Sequence, residues 1–333
     1  MAAALLSAML VLGTFLPKGM PEAPPPKTAR TIPDTVLYRH ISSRVAQGES
    51  YYSAAADEQR RHDLPLRPFV TVRLPTMGWM NALVDPQLVL HLLLAITVAA
   101  WMALPGLRIW ERVALAVAIA AGSWQAFADY SAWVHEYWCG LLLALSVAVH
   151  PRNVTLSIVI ALAAALIREL ALPFLLLGCA FALIARSWRE ALEWTAAIGV
   201  FALALGLHAW EVSAVALAGD KASPGWFGLL GYPAAIDRIA QQSPLGIAPG
   251  ALAAAIAALG PAGWLGLRNR TGFFMCAYML GMLAFLAIFP RDNNLFWSVL
   301  VAPLWLAGLV FLPRLARWLA GRAGPREPEA AAG

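Results

Sequence analysis

Four polar clusters interrupt a chain that is otherwise mostly apolar. The first is Asp34, in the stretch PDTVLYRHISSRVAQGESYY at 33–52. A carboxylate placed there could take a proton from an attacking hydroxyl. On spacing alone, Asp after Pro33, opening an amphipathic segment, is better suited to capping a helix. A carboxylate that accepts backbone N–H bonds is also a weaker base. The second cluster is His135–Glu136–Tyr137–Trp138. Cys139 stands where HExxH needs its second histidine, which excludes a zincin. The two aromatics suit a membrane boundary, while His135 and Glu136 are site candidates. The third and fourth clusters are Arg168–Glu169 and Arg291–Asp292. Arginine is always charged and fork-shaped, so either could clamp a phosphate. The plainer reading is an arginine reaching the interface beside its own acid.

The rest of the chain must position these groups. Of its 333 residues 60% are hydrophobic and 13% charged, against about 25% charged in a soluble domain. Repeated apolar runs predict an all-α, polytopic membrane helix bundle of about ten spans (about nine to eleven). A closed barrel would need alternating short strands, which the continuous Ala/Leu/Val runs do not supply. The net charge of +5 reports membrane orientation and gives no reason to expect nucleic acid. Cys139, Cys179 and Cys276 lie in apolar runs without CxxC or Cys/His spacing. No disulfide framework or zinc site is expected; no cofactor is indicated, and dependence on a divalent metal stays open. Walker A, GxGxxG and GxSxG patterns are missing from the sequence, so nothing supports nucleotide-driven transport or serine hydrolysis.

Spans are expected near 2–16, 87–104, 113–128, 137–149, 154–167, 170–185, 192–210, 249–267, 272–289 and 294–312. The first reads as an uncleaved span, with a signal peptide as the alternative. Residues 154–185 are the critical stretch. One helix of that length would be about 48 Å long, against a hydrocarbon core of about 30 Å. It would also carry Arg168–Glu169 at its middle, which is costly. Two helices turning at the charged pair avoid both problems. That turn also satisfies the positive-inside rule. Arg108, Arg112, Arg152, Arg186, Arg189, Arg268, Arg270 and the tail arginines then lie inside, with both termini cytoplasmic. Residues 1–312 form one integral membrane domain with 17–86 as an extracytoplasmic loop, and 313–333 form a disordered cytoplasmic tail. Asp34, Asp129, Glu136, Arg168, Glu169 and Arg291 all come to the outer face.

Within the first loop, Leu37, Ile41 and Val45 make one helical stripe, to lie on lipid or on the bundle. Gly48 suits the end of that helix. Residues 53–63 read as a second short helix. The segment 64–80, with Pro65, Pro68 and Pro75, returns the chain to the membrane at Trp79.

An acid just after the first span, then Tyr38, a helix, Gly48, Tyr51–Tyr52 and an Arg/Pro-rich approach to the second span resembles the GT-C class of integral-membrane glycosyltransferases. It is most similar to bacterial members that build cell-surface glycopolymers. Thr35 follows Asp34 where some members carry a second acid. The resemblance implies a polyprenyl-phosphate-linked sugar donor and a glycan or lipid acceptor, used at the extracytoplasmic face of a bacterial plasma membrane. It implies the catalytic base role for Asp34. On that reading Tyr38, Tyr52, Arg73, Asp129, His135, Glu136 and Glu169 are candidates for holding donor sugar and acceptor. Arg168 and Arg291 are candidates for the phosphate. A transporter or flippase of a lipid-linked sugar, and a non-catalytic partner in envelope polysaccharide assembly, are the competing expectations.

Overall fold

The computed structural model describes residues 32–291 and 294–323. The expected first span at 2–16 and residues 324–333 lie outside them. Among the described residues the chain is all-α, and the one bridge is an isolated parallel pair, Arg67 with Ala222. Two loop helices come first, α1 (Asp34–Ala46) and α2 (Tyr51–Arg61), then α3 (Thr76–Leu83) and α4 (Pro86–Met102). There follow α5 (Ile109–Gly122), α6 (His135–Val149), α7 (Val154–Ile167), α8 (Leu172–Ile184) and the long α9 (Trp188–Val215). The last part holds α10 (Gly231–Gln241), α11 (Gly250–Ala258), α12 (Arg270–Ile288), α13 (Ala302–Leu309) and α14 (Leu312–Ala323).

Three helical stretches are long and apolar enough to cross a membrane: Trp188–Val215, Gly250–Leu267 and Arg270–Ile288. Counting each bent pair as one span raises this to five. Ten full-length spans are therefore not what these helices provide. The reason is length. At 1.5 Å per residue, α6, α7 and α8 reach only about 20–23 Å, short of a core of about 30 Å. The expected span at 294–312 is also broken. It consists of a 3₁₀ stretch, Leu295–Leu300, then α13, which bends by 41° into α14.

Several helices also carry exposed apolar faces. Only 17% of the most apolar window of α9 is buried. Val200, Leu203, Leu207 and Trp210 on α9 are exposed, as are Leu88, Leu92 and Ile96 on α4. A soluble surface rarely carries such continuous apolar stripes. The centre is α6, buried from His135 to Ala148 except at Leu142. A side chain at Gly140 would come within 2.8 Å of the Leu300 carbonyl oxygen, so only glycine allows that approach. Buried indoles anchor neighbouring backbones. Trp101 donates to the Ala144 carbonyl at 3.0 Å, and Trp264 to that of Leu304 at 3.1 Å.

The expected turn at Arg168–Glu169 is present. α7 ends at Ile167, a 3₁₀ turn covers Glu169–Ala171, and α8 starts at Leu172 with Pro173 in its first turn. The tail differs from expectation, since α14 is helical to Ala323. Leu315 is buried there, and Arg314 pairs with buried Glu111 at 2.5 Å, which docks the helix.

The first loop is a folded cap. Leu37 and Ile41 pack with Tyr51, Ala54, Ala55, Leu66, Val72 and Val212. The expected stripe is thus covered by α2, its following segment and the end of α9. Arg60 ties the cap to the α9–α10 loop through both Asp220 oxygens, at 2.7 and 2.9 Å. Hydrogen bonding to Arg60 holds the Asp220 carboxyl down at about 2. The Asp220 side chain is covered locally although it lies toward the molecular surface.

Candidate functional site

Asp34 is the first residue of α1 and Pro33 is its N-cap. The capping role open to Asp34 from sequence is not the one it plays, because its side chain makes no cap hydrogen bond. Among the described residues no hydrogen bond or ion pair holds its carboxylate. One turn on, Tyr38 packs edge-on against His135, with ring centroids 4.5 Å apart. Both residues line a cavity of about 40 Å³ together with Asp34, Arg73, Trp133, Val134, Glu136, Asn294, Phe296 and Trp297. That is small for a ligand site, where volumes of about 300–1,000 Å³ are usual.

A charge relay lies behind one wall. Arg168, at the C-cap of α7, is buried, with 1% of its side chain exposed. Its Nε donates to Glu136 Oε1 at 2.8 Å, and Nη1 pairs with Glu169. The guanidinium also lies 5.7 Å from the centre of the Trp297 ring. Glu169 in turn faces Arg73 at 3.8 Å. The order is Glu136–Arg168–Glu169–Arg73. Arg168 is enclosed by acids and aromatic carbon, so it orients the carboxylates. Arg73 is the cation that reaches the cavity. Tyr51 fixes the Arg73 backbone by donating to its carbonyl at 2.8 Å.

The electrostatics follow from this layout. Asp34 is exposed at the cavity mouth, yet the protein around it excludes enough water to raise its pKa. Arg73 opposes that rise, Glu136 adds to it and Arg168 opposes it. Burial pushes the Tyr38 hydroxyl up to about 12, so it serves as a neutral hydrogen-bonding group. Burial works against the charge of Arg73, but Tyr38, Glu169, Glu136 and Asp34 outweigh it and keep the guanidinium protonated. The arrangement offers a carboxylate of raised basicity, an anion-binding guanidinium and neutral hydroxyl partners. His135 contributes a buried Nδ1 with no hydrogen-bond partner among the described residues.

Other sequence candidates fall elsewhere. Tyr52 bonds His208 Nδ1 at 3.2 Å, inside the cap. Asp129 is exposed and does not line the cavity. Arg291 is also absent from the lining. Its backbone N–H donates to Asn294 Oδ1 at 3.0 Å, which shapes the turn that supplies Asn294, Phe296 and Trp297 to the wall. Trp133, Phe296 and Trp297 were not singled out from sequence. Trp133, two residues before His135, and Trp297, six residues after Arg291, were the available signals.

A second cavity, of about 50 Å³, lies near the other end of α6, between Val147, Phe174, Trp194 and Phe274. Its acid Glu190 is paired with Arg270 at 2.7 and 2.8 Å and with His150 at 3.3 Å. It therefore presents no free base. No family model, curated protein or solved structure matches this chain.

Proposed function

We propose that the chain is an inverting membrane glycosyltransferase that uses a polyprenyl-phosphate-linked sugar to build or modify a cell-surface glycan. The observation that carries this reading is that Asp34, unbonded among the described residues, lines one cavity with Arg73. The resemblance of the first loop to GT-C enzymes supplies the reaction class. In the proposed reaction the acceptor oxygen attacks the anomeric carbon and its proton passes to Asp34. The bond from that carbon to the phosphate oxygen breaks, and the phosphate leaves with the electron pair. Arg73 neutralises the charge that develops there. Glu136 and His135 hold sugar or acceptor hydroxyls, and Arg168 holds Glu136 and Glu169 in place. No metal or other cofactor takes part in this scheme.

The membrane setting belongs to the same proposal. The exposed faces of α4, α5 and α9 meet lipid, and the short helices α6, α7 and α8 cross inside the bundle as part of about ten spans. The cap and the cavity then face outward from a bacterial plasma membrane, with both termini cytoplasmic. The donor's lipid tail lies between helices while its phosphate enters beside Arg73.

Purified protein in proteoliposomes, given a panel of polyprenyl-phosphate hexoses and pentoses with envelope glycan as acceptor, tests the reading. It predicts a glycosylated product with inverted anomeric configuration. Movement of the lipid-linked sugar across the bilayer with no product would assign the protein to translocation instead. Neither transfer nor movement would favour a non-catalytic assembly role.

A further inference from the structure

The cap carries a second constellation, separate from the Asp34 cavity. His40 lies on α1, Glu58 on the last turn of α2, and His62 is the cap residue of that helix. Glu58 and His62 are four positions apart, so their side chains share a face. The two helices turn back on each other at Gly48, whose φ of +91° lies in the left-handed region that favours glycine. This turn brings His40 over the Glu58–His62 face.

His40 Nδ1 is 3.4 Å from Glu58 Oε2, and His62 Nε2 is 3.6 Å from the same oxygen. All three atoms lie within 4.8 Å of one another. Tetrahedral zinc bonded at about 2.0–2.1 Å sets its ligand atoms about 3.3–3.4 Å apart. One pair, at 3.4 Å, has that spacing and a second, at 3.6 Å, is slightly longer; rotation of the exposed His40 ring would adjust the third. Glu58 is 1% exposed, and its Oε2 has no hydrogen-bond partner among the described residues. His62 Nε2 is likewise buried and unpartnered. An unsatisfied buried acceptor is costly, and here two of them face one point. Arg44 at 3.0 Å and Arg61 at 2.6 Å both engage the other oxygen, Oε1. They fix the carboxylate and leave Oε2 free. Their charge opposes a cation, but Glu49 and Asp57 also pair with Arg44 and offset it.

We propose that His40 Nδ1, Glu58 Oε2 and His62 Nε2 bind one zinc ion, with water in the fourth position. Two imidazoles and one carboxylate form a donor set suited to zinc. The ion clamps α1 to α2. Because α1 also begins with Asp34, the clamp steadies the helix on which the candidate base sits. The proposal does not depend on what Asp34 does.

Zinc analysis of the full chain, purified in detergent, stripped with chelator and re-equilibrated with zinc alone, tests it. One zinc per chain is expected, with visible absorption bands from the cobalt form and a zinc-dependent rise in Tm. His40→Ala changes an exposed residue and will fold. It and His62→Ala should each lower zinc affinity at least tenfold and remove the rise in Tm. His91→Ala, on α4, should change neither. Wild type that retains no zinc, or His40→Ala and His62→Ala chains that bind it as wild type does, would overturn the assignment.

Discussion

Arg73 lines the same cavity as Asp34 and works against the burial that raises the Asp34 pKa. Glu136, across that cavity, works in the other direction. Burial is the largest influence on the basicity of Asp34, and Arg73 and Glu136, from different elements, tune it in opposite directions.

This gives a pH prediction with a defined sign. A base must be deprotonated to act, so transfer should rise with pH through a limb that lies above the ordinary aspartate value. Arg73→Gln removes a favourable charge, raises the Asp34 pKa further and should move the limb to higher pH. Glu136→Gln removes a like charge and should move it lower. Rate profiles of the three proteins check this. Limbs that coincide would mean that Asp34 is not the titrating group.

Arg73 should matter to the reaction more than to binding. Arg73→Ala is expected to lower kcat by about 10²–10³-fold, the usual loss when one charge-stabilising donor is removed. Arg73→Lys should recover only part, since a point charge cannot reproduce the guanidinium fork. Steady-state kinetics with a lipid-phosphate sugar separate kcat from KM, and a pure KM effect would reduce Arg73 to a docking contact.

Arg168 should act mainly on stability. Arg168→Met leaves Glu136 buried beside an empty partner position and should destabilise the fold by about 3–5 kcal/mol. The double variant Arg168→Met/Glu136→Leu removes the stranded charge and should recover most of that loss. Thermal unfolding in detergent measures both. Equal Tm for wild type and the single variant would show the relay to be dispensable.

The cap should loosen in acid through Asp220. Its folded pKa of about 2 lies below the ordinary aspartate value of 3.8. Its contribution is therefore present above the unfolded value and is lost as pH falls toward about 2. Hydrogen exchange across 51–72 should accelerate over that window, and Asp220→Asn should bring the faster exchange at neutral pH.

Much of this layout was legible in the sequence, for identifiable reasons. The break at Arg168–Glu169 could be read because a charged pair in mid-bilayer and a helix of about 48 Å are both expensive. Asp34 and Glu136 were expected on one face, and the fold brings both to one cavity. Other features depend on three-dimensional detail. Whether Asp34 caps its helix or starts it is decided by the dihedrals of Pro33. Arg168 and Arg73 look alike as arginines near polar clusters, and only packing shows that one is buried under Trp297 while the other reaches the cavity. Length misled where helices are short, because composition reports apolarity and not whether lipid or protein surrounds it. His40 and His62 are too far apart in sequence to suggest a shared ligand, and the turn at Gly48 brings them together.

In the proposed reaction Asp34 is the base for transfer from a lipid-phosphate sugar. The most direct measurement is the initial transfer rate of Asp34→Asn against wild type in proteoliposomes, with Tm recorded for both. Asparagine preserves shape, and Asp34 makes no cap bond to lose. The account predicts unchanged Tm and a rate lowered by about 10²–10⁴-fold, the range for loss of a general base. Full transfer by a folded Asp34→Asn protein would contradict it.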